Sequence, residues 1–166
     1  MPRDLPSLFR RLTCGVYVIG VSHQGNDSGF TAAWVMQVSF DPLLLAVSVH
    51  PDHTSYPLLV GAGVFSVNVL PRGREDLARH FGRPAGVDKL AGVYWRRGAS
   101  GMPLLEAAAA YFECELRHDY PAGDHRLVVG RVTGGEVLDA DAEPMNYRET
   151  GDMDGSSRLY PGDFTR

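Results

Sequence analysis

Lysine is nearly missing from this chain: Lys89 is the only one among 16 cations in 166 residues. No basic cluster forms, and the net charge of -4 with a pI near 5.8 supplies no positive field for nucleic acid or an anionic membrane. Cysteine is scarce too. Cys14 and Cys114 lie far apart with no CxxC pair, which argues against a disulfide framework, so both read as buried free thiols. No apolar run approaches the roughly 20 residues that span a bilayer. Met1 to Leu12 lacks the apolar core of a signal peptide, so a soluble, cytoplasmic protein is expected.

Several catalytic signatures are missing as well. The chain has no GxxxxGK[ST], no GxSxG and no HExxH. Gly61-Ala62-Gly63 begins a GxG without its third glycine and precedes a strand, so the dinucleotide fingerprint fails. His50-Pro51-Asp52-His53 has ligand-like spacing but no second donor cluster nearby, so it reads as a polar loop and no metal is expected.

What is present is a series of short extended runs. "GVYVIGVS" (15–22), "LLLAVSVH" (43–50) and "VFSVNVLP" (64–71) are rich in Val and aromatics and bounded by Gly, Pro or Asp. "AAYFECELRHDY" (109–120) alternates Phe112, Cys114 and Leu116 against Glu113, Glu115 and Arg117. With "HRLVVGRVTGGEVL" (125–138) it forms a predicted long hairpin turning at Gly123-Asp124. Helices are predicted over 55–63, with Ser55 or Thr54 as N-cap, and over 73–81, where acid comes early and His80 late. The segment 103–110 is helical by propensity yet runs into a strand. Without βαβ alternation, about six strands favour an antiparallel barrel in one domain over 1–166. From 142 to 166 the periodicity fades, and Tyr147, Tyr160 and Phe164 suggest a docking tail.

One stretch resists this scheme. "GFTAAWVMQVSFDP" (29–42) mixes small, polar and bulky residues without the period of two expected of a half-buried strand. Thr31, Ala32 and Ala33 permit close backbone approach, Trp34, Val35 and Met36 offer an apolar ledge, and Gln37 and Ser39 offer polar contacts. In "HTSY" (53–56), His53, Thr54 and Ser55 stand at a predicted helix start and form a possible phosphate seat. From the residues alone, an irregular strand corner and a helix N-cap account for both stretches more readily than a ligand site, because pockets are few per protein. Asn68 reads as a buried, satisfied amide.

The order "GFTAAWVMQVSFDPLLLAVSV", "HTSYPLLVGAGVFSVNVL", "GDHRLVVGRV" resembles the flavin reductase-like family, the FMN-binding split barrels. Each motif is loose by itself; in this order, over about 8 to 140, they are specific. The Trp-Val-x-Gln variant is similar to members related to flavoredoxin and the flavin-reductase module of flavodiiron proteins. Leu43 replaces the second proline of the family's first block.

The resemblance implies a mainly β fold, a six-stranded antiparallel Greek-key split barrel with a few short flanking helices, acting as a homodimer. It implies noncovalent FMN, or FAD, on Thr31 to Ser39 and its phosphate on His53 to Tyr56. Members often carry Arg or Lys where His53 and Thr54 stand, which leaves His53, Arg10 or Arg11 as the phosphate cation. His125 corresponds to the family's hairpin histidine at the nicotinamide or flavin edge, against a reading as an ordinary turn residue. The implied reaction is hydride transfer from NADH or NADPH to flavin N5, feeding a separate flavin-dependent monooxygenase. An FMN-binding electron-transfer protein and a non-catalytic interaction barrel stand as alternatives.

Overall fold

A computed structural model describes residues 4–164. The first three residues of the segment read for a targeting signal, and the last two of the tail, lie outside them. Short helix α1 (Leu5–Phe9) comes first, N-capped by Asp4, whose carboxylate accepts from Ser7 N at 3.1 Å. Seven strands then build one sheet: β1 (Tyr17–His23), β2 (Asn26–Ala32), β3 (Val35–Phe40), β4 (Leu43–Val49), β5 (Val64–Val69), β8 (Ala110–Ala122) and β9 (His125–Val137). Between them fall α2 (Tyr56–Ala62), α3 (Glu75–Phe81) and a small separate hairpin of β6 (Trp95–Arg97) and β7 (Pro103–Leu105). Among the described residues, no helix is long and apolar enough to cross a membrane.

The main sheet runs in the order β2-β1-β5-β8-β9-β4-β3, and its pairs are antiparallel. It corrects the expected six-strand count. The stretch 29–42 does not make one strand: β2 ends at Ala32, the chain turns through Ala33-Trp34, and β3 starts at Val35. The edge strands β2 and β3 are thus consecutive in the chain with no ladder between them, so the sheet wraps its core without closing as a ring. The broken alternation has the same local cause. One residue pair is lost at the corner, and the register of β3 against β4 shifts between Gln37 and Ser39, a β-bulge at Val38.

Two apolar clusters explain why β1 reads as continuous apolar sequence. Ile19 and Val21 face a core inside the wrapped sheet with Phe30, Val47, Leu59, Phe65 and Val128. Val18 on the opposite face joins Val16, Leu77, Phe81, Leu105 and Met145 in a second cluster under α3 and the segment after it. Strands buried on both faces need no polar alternation. Gly130 keeps β9 close to β8: a Cβ there would stand 2.6 Å from the Phe65 ring and 2.8 Å from Cys114 Cβ. Gly20 leaves room for Ser66 Oγ and the Pro103 carbonyl.

Asn68 fastens the small hairpin to the sheet. Fully buried, it donates to the carbonyls of Val18 (3.0 Å) and Pro103 (3.4 Å) and accepts from Leu105 N at 2.8 Å. Segment 103–110, helical by propensity, enters β7 because Pro103 and Leu105 carry these bonds across the second cluster. Of the two thiols, Cys114 is fully buried, which pushes its pKa up to about 12, while Cys14 is half-buried.

Candidate functional site

The site residues expected on one strand divide between two faces at the 33–34 corner. Thr31 and Ala33 line a cleft of about 410 Å³ together with His53, Arg79, Arg83 and Tyr147. Val35, Met36 and Gln37 line a different one, about 420 Å³, beside Leu43 and Phe112. Trp34 stands at the corner, half exposed, and its carbonyl accepts from Ser48 N at 3.0 Å. Ala32 is buried in the core. Gln37 reaches only the Ser39 carbonyl, at 3.4 Å.

The first cleft is built by packing β2 against α3. Thr31 Oγ1 donates to the Ala78 carbonyl at 2.6 Å, so its proton is taken and its lone pairs remain as acceptors. Ala33 and Gly82 keep the walls shallow. The loop before α2 brings His53 alongside, its ring 4.8 Å from Phe30. His53 Nδ1 accepts from Ser55 N at 3.2 Å, which leaves the proton on Nε2. Ser55 is buried and Thr54 is exposed, and neither lines the cleft.

The charge around this cleft is unbalanced. Lys89 is 4% exposed, and among the described residues Nζ donates only to the Phe81 carbonyl, at 3.1 Å, with no carboxylate partner. Burial, then the nearby Arg83, lowers its pKa. Arg83 binds His80, through Nε to the carbonyl at 3.1 Å and through Nη2 against ring Nδ1 at 2.8 Å. Arg79 makes no ion pair among the described residues. Burial first, then the charges of Lys89 and His50, hold His53 below its ordinary pKa. Asp154 is the one carboxylate lining the cleft among the described residues, and it accepts from Tyr147 Oη at 2.6 Å and Ser156 N at 3.0 Å. Its lone pairs are directed at the tail and not at the arginines. Arg79 and Arg83, exposed at the rim without a carboxylate partner among the described residues, form a seat for an anion, with the buried Lys89 adding positive charge behind them.

The tail, read from its aromatics as a docking segment, also supplies a wall of the cleft, which the sequence did not assign to it. A bridge between Gly15 and Asn146, and Tyr147 N donating to the Cys14 carbonyl at 2.8 Å, bring it back over the sheet. Tyr147, Thr150, Met153 and Asp154 then form one wall of the cleft. Arg79 and Arg83 had only their place in and after an amphipathic helix to mark them. Arg10 lies elsewhere, paired with Asp152 at 3.2 Å.

His125 sits apart from this cleft. Its ring centroid is 5.0 Å from Trp34 and 5.3 Å from His50, and Nδ1 lies 2.7 Å from Asp124 Oδ1. The hairpin tip carrying it is held down by Tyr56 Oη donating to Asp119 at 2.5 Å and by the Arg126–Asp119 pair at 2.8 Å.

The family model described as the flavin reductase like domain matches residues 9–155. The chain is 38% identical over 133 residues to the stachydrine N-demethylase reductase subunit Stc3 of Rhizobium meliloti, across 80% of this chain and 57% of that protein. It is 32% identical over 152 residues to diflavin flavoprotein A 1 of Synechocystis, across 89% of this chain and 26% of that protein. It therefore spans from a quarter to just over half of these relatives. Among solved structures, the NADH:FAD oxidoreductase SgcE6 of Streptomyces globisporus, in complex with NAD and FAD fragments, superposes with a TM-score of 0.77. Identity there is 32%, covering 87% of this chain and 88% of that one.

Proposed function

The chain belongs to the flavin reductase-like family, and from that premise we propose that it binds FMN or FAD noncovalently and reduces it with NADH or NADPH. The observation that carries this reading is the cleft between β2 and α3: a shallow floor at Thr31 and Ala33 beside cations that lack a carboxylate. Its size, its small floor residues and its charge fit a flat ring bearing a phosphate.

In this reading Arg79 and Arg83 receive the phosphate, and His53 adds its Nε2 proton as a neutral donor. Thr31 Oγ1 and the main chain at the corner face the ring, with Trp34 closing one end. The flavin, when bound, supplies the two-electron acceptor for hydride. The protein's own part is to hold two planar groups together, exclude water and offer fixed dipoles where negative charge grows. With Nδ1 held against the Asp124 carboxylate, His125 keeps Nε2 free for a contact beside Trp34, suited to orienting a carboxamide.

Met36 (64% exposed), Phe40 (85%) and Leu43 (50%) leave the β3 edge apolar, which supports a homodimer joined there. The description of Stc3 as the reductase subunit of a demethylase supports a role as the reductase partner of a separate enzyme, which we take to be a flavin-dependent monooxygenase in the cytoplasm. The test is NADH and NADPH oxidation with FMN, FAD and riboflavin as acceptors, alongside flavin titration of the purified chain. Turnover with a preference among the six pairs is expected. The absence of both flavin binding and nucleotide oxidation would overturn the proposal.

A further inference from the structure

Strands β4 and β9 pair with Val49 opposite Arg126, and one further step of that register sets His50 opposite His125. Opposed residues of an antiparallel pair lie close enough for their side chains to meet. The two imidazoles do meet, with centroids 5.3 Å apart and planes at 81°, an edge-on contact. Trp34 packs on His125 as well, at 5.0 Å and 56°. His50 lines neither cleft of the candidate site, and the flavin reading so far gives it no task.

His125 is held at one polar atom. Nδ1 lies 2.7 Å from Asp124 Oδ1, but the Asp124 side chain is 84% exposed, so water competes for that carboxylate. A ring tethered at one atom can pivot about it and swing Nε2 away from a bound carboxamide. Rings at 56° and 81° to its plane oppose that pivot, both within the range of about 4.5–7 Å where aromatic pairs attract. His50 is itself fixed by its own loop. Its Nδ1 accepts from Asp52 N at 3.2 Å, and its carbonyl accepts from His53 N at 3.0 Å, so ring and main chain are both tied down.

We infer that His50 is a positioning residue: its ring holds the plane of His125 so that Nε2 stays aimed at the nicotinamide carboxamide. The inference rests on the flavin reductase reading and adds a residue to its machinery. His50 touches neither flavin nor nucleotide in this account and acts only through His125. Its contribution is about tenfold in rate, since an ångström of misplacement at a reacting centre costs about a hundredfold.

The experiment is a double-mutant cycle on the flavin-loaded chain, comparing wild type with His50→Ala, His125→Ala and the double variant, with His50→Phe added. The limiting rate of flavin bleaching is followed by stopped flow at saturating NADH or NADPH, whichever the wild type oxidises faster. Kd for FMN is measured by fluorescence. His50→Ala should lower the limiting rate about tenfold. The double variant should be no slower than His125→Ala alone. His50→Phe keeps a ring at this position and should stay within about twofold of the wild type. FMN affinity should be unchanged throughout, because His53 and the arginines keep their places. Losses that multiply in the double variant, a His50→Phe as slow as His50→Ala, or a His50→Ala as fast as wild type would each overturn the inference. So would weakened FMN binding in His50→Ala, which would mean a general role in the loop that carries His53. A silent His125→Ala overturns it too and leaves the reductase reading standing. A wild-type chain that neither binds flavin nor oxidises nucleotide removes both readings.

Discussion

Arg83→Ala isolates the phosphate seat from the ring seat. The guanidinium is tied to the last turn of α3 by Nε donating to the His80 carbonyl at 3.1 Å, and it has no carboxylate partner among the described residues. Its charge is therefore already positioned, and little side-chain ordering remains to oppose binding. A charge-assisted hydrogen bond contributes about 1.5–3 kcal/mol. Arg83 is solvent-exposed at the cleft rim, so screening brings the expected loss to the lower end, about 1.4–2 kcal/mol. That corresponds to a Kd for FMN raised about ten- to thirtyfold. Riboflavin, the same ring without phosphate, should bind the variant as it binds the wild type. Fluorescence titration with both ligands at low and high salt is the assay. The FMN affinity of the wild type should fall with salt, and that of the variant much less. An equal loss for riboflavin would show that Arg83 serves the ring or the fold. An unchanged FMN affinity would show that the phosphate lies elsewhere.

Four further outcomes follow from the same structure. His53 is held below its ordinary pKa by burial, then Lys89 and His50, and a bound phosphate would favour its protonation. As pH falls through 6.5, the ratio of wild-type to His53→Gln affinity for FMN should rise, since titration of the phosphate is common to both; a flat ratio would remove His53 from the seat. The free chain should have the opposite tendency, losing stability as pH drops below 6.5, because the unfolded His53 accepts the proton more readily. Asn68→Ala strands the Leu105 amide and takes a donor from the Val18 carbonyl, while the Pro103 carbonyl keeps Ser66 Oγ, and should cost about 1–3 kcal/mol in denaturant unfolding. A loss under about 0.5 kcal/mol would mean water replaces the amide. Phe40→Arg places a charge on the apolar β3 edge and should shift sedimentation from dimer to monomer, with no change in the thermal midpoint of the monomer beyond a few degrees.

Much of the fold could be read from local patterns. The hairpin of β8 and β9 follows from Phe112 and Cys114 alternating with Glu113 and Glu115 and from the turn at Gly123, whose φ is 63°. Helices α2 and α3 match their proline and charge signals, with Pro57 in the first turn of one and Glu75 and Asp76 opening the other. The 29–42 stretch was harder. Its composition was legible as unusual, but a corner, a bulge and a cofactor shelf leave the same loss of alternation in a sequence, and here the first two are what the backbone shows. Thr31 was visible as a hydroxyl on a small-residue strand, while its donation to Ala78 depends on a helix 47 positions away.

By itself the sequence determined the strand segments and the family, since each rests on residues near one another in the chain. Only the tertiary structure decided which cations share a cleft, because Thr31, His53, Arg83 and Tyr147 meet through sheet order and the returning tail. Counter-ion balance is a property of distances in space. No spacing along the chain could reveal that Lys89 is buried without a carboxylate partner among the described residues, or that the ring of His50 packs on that of His125.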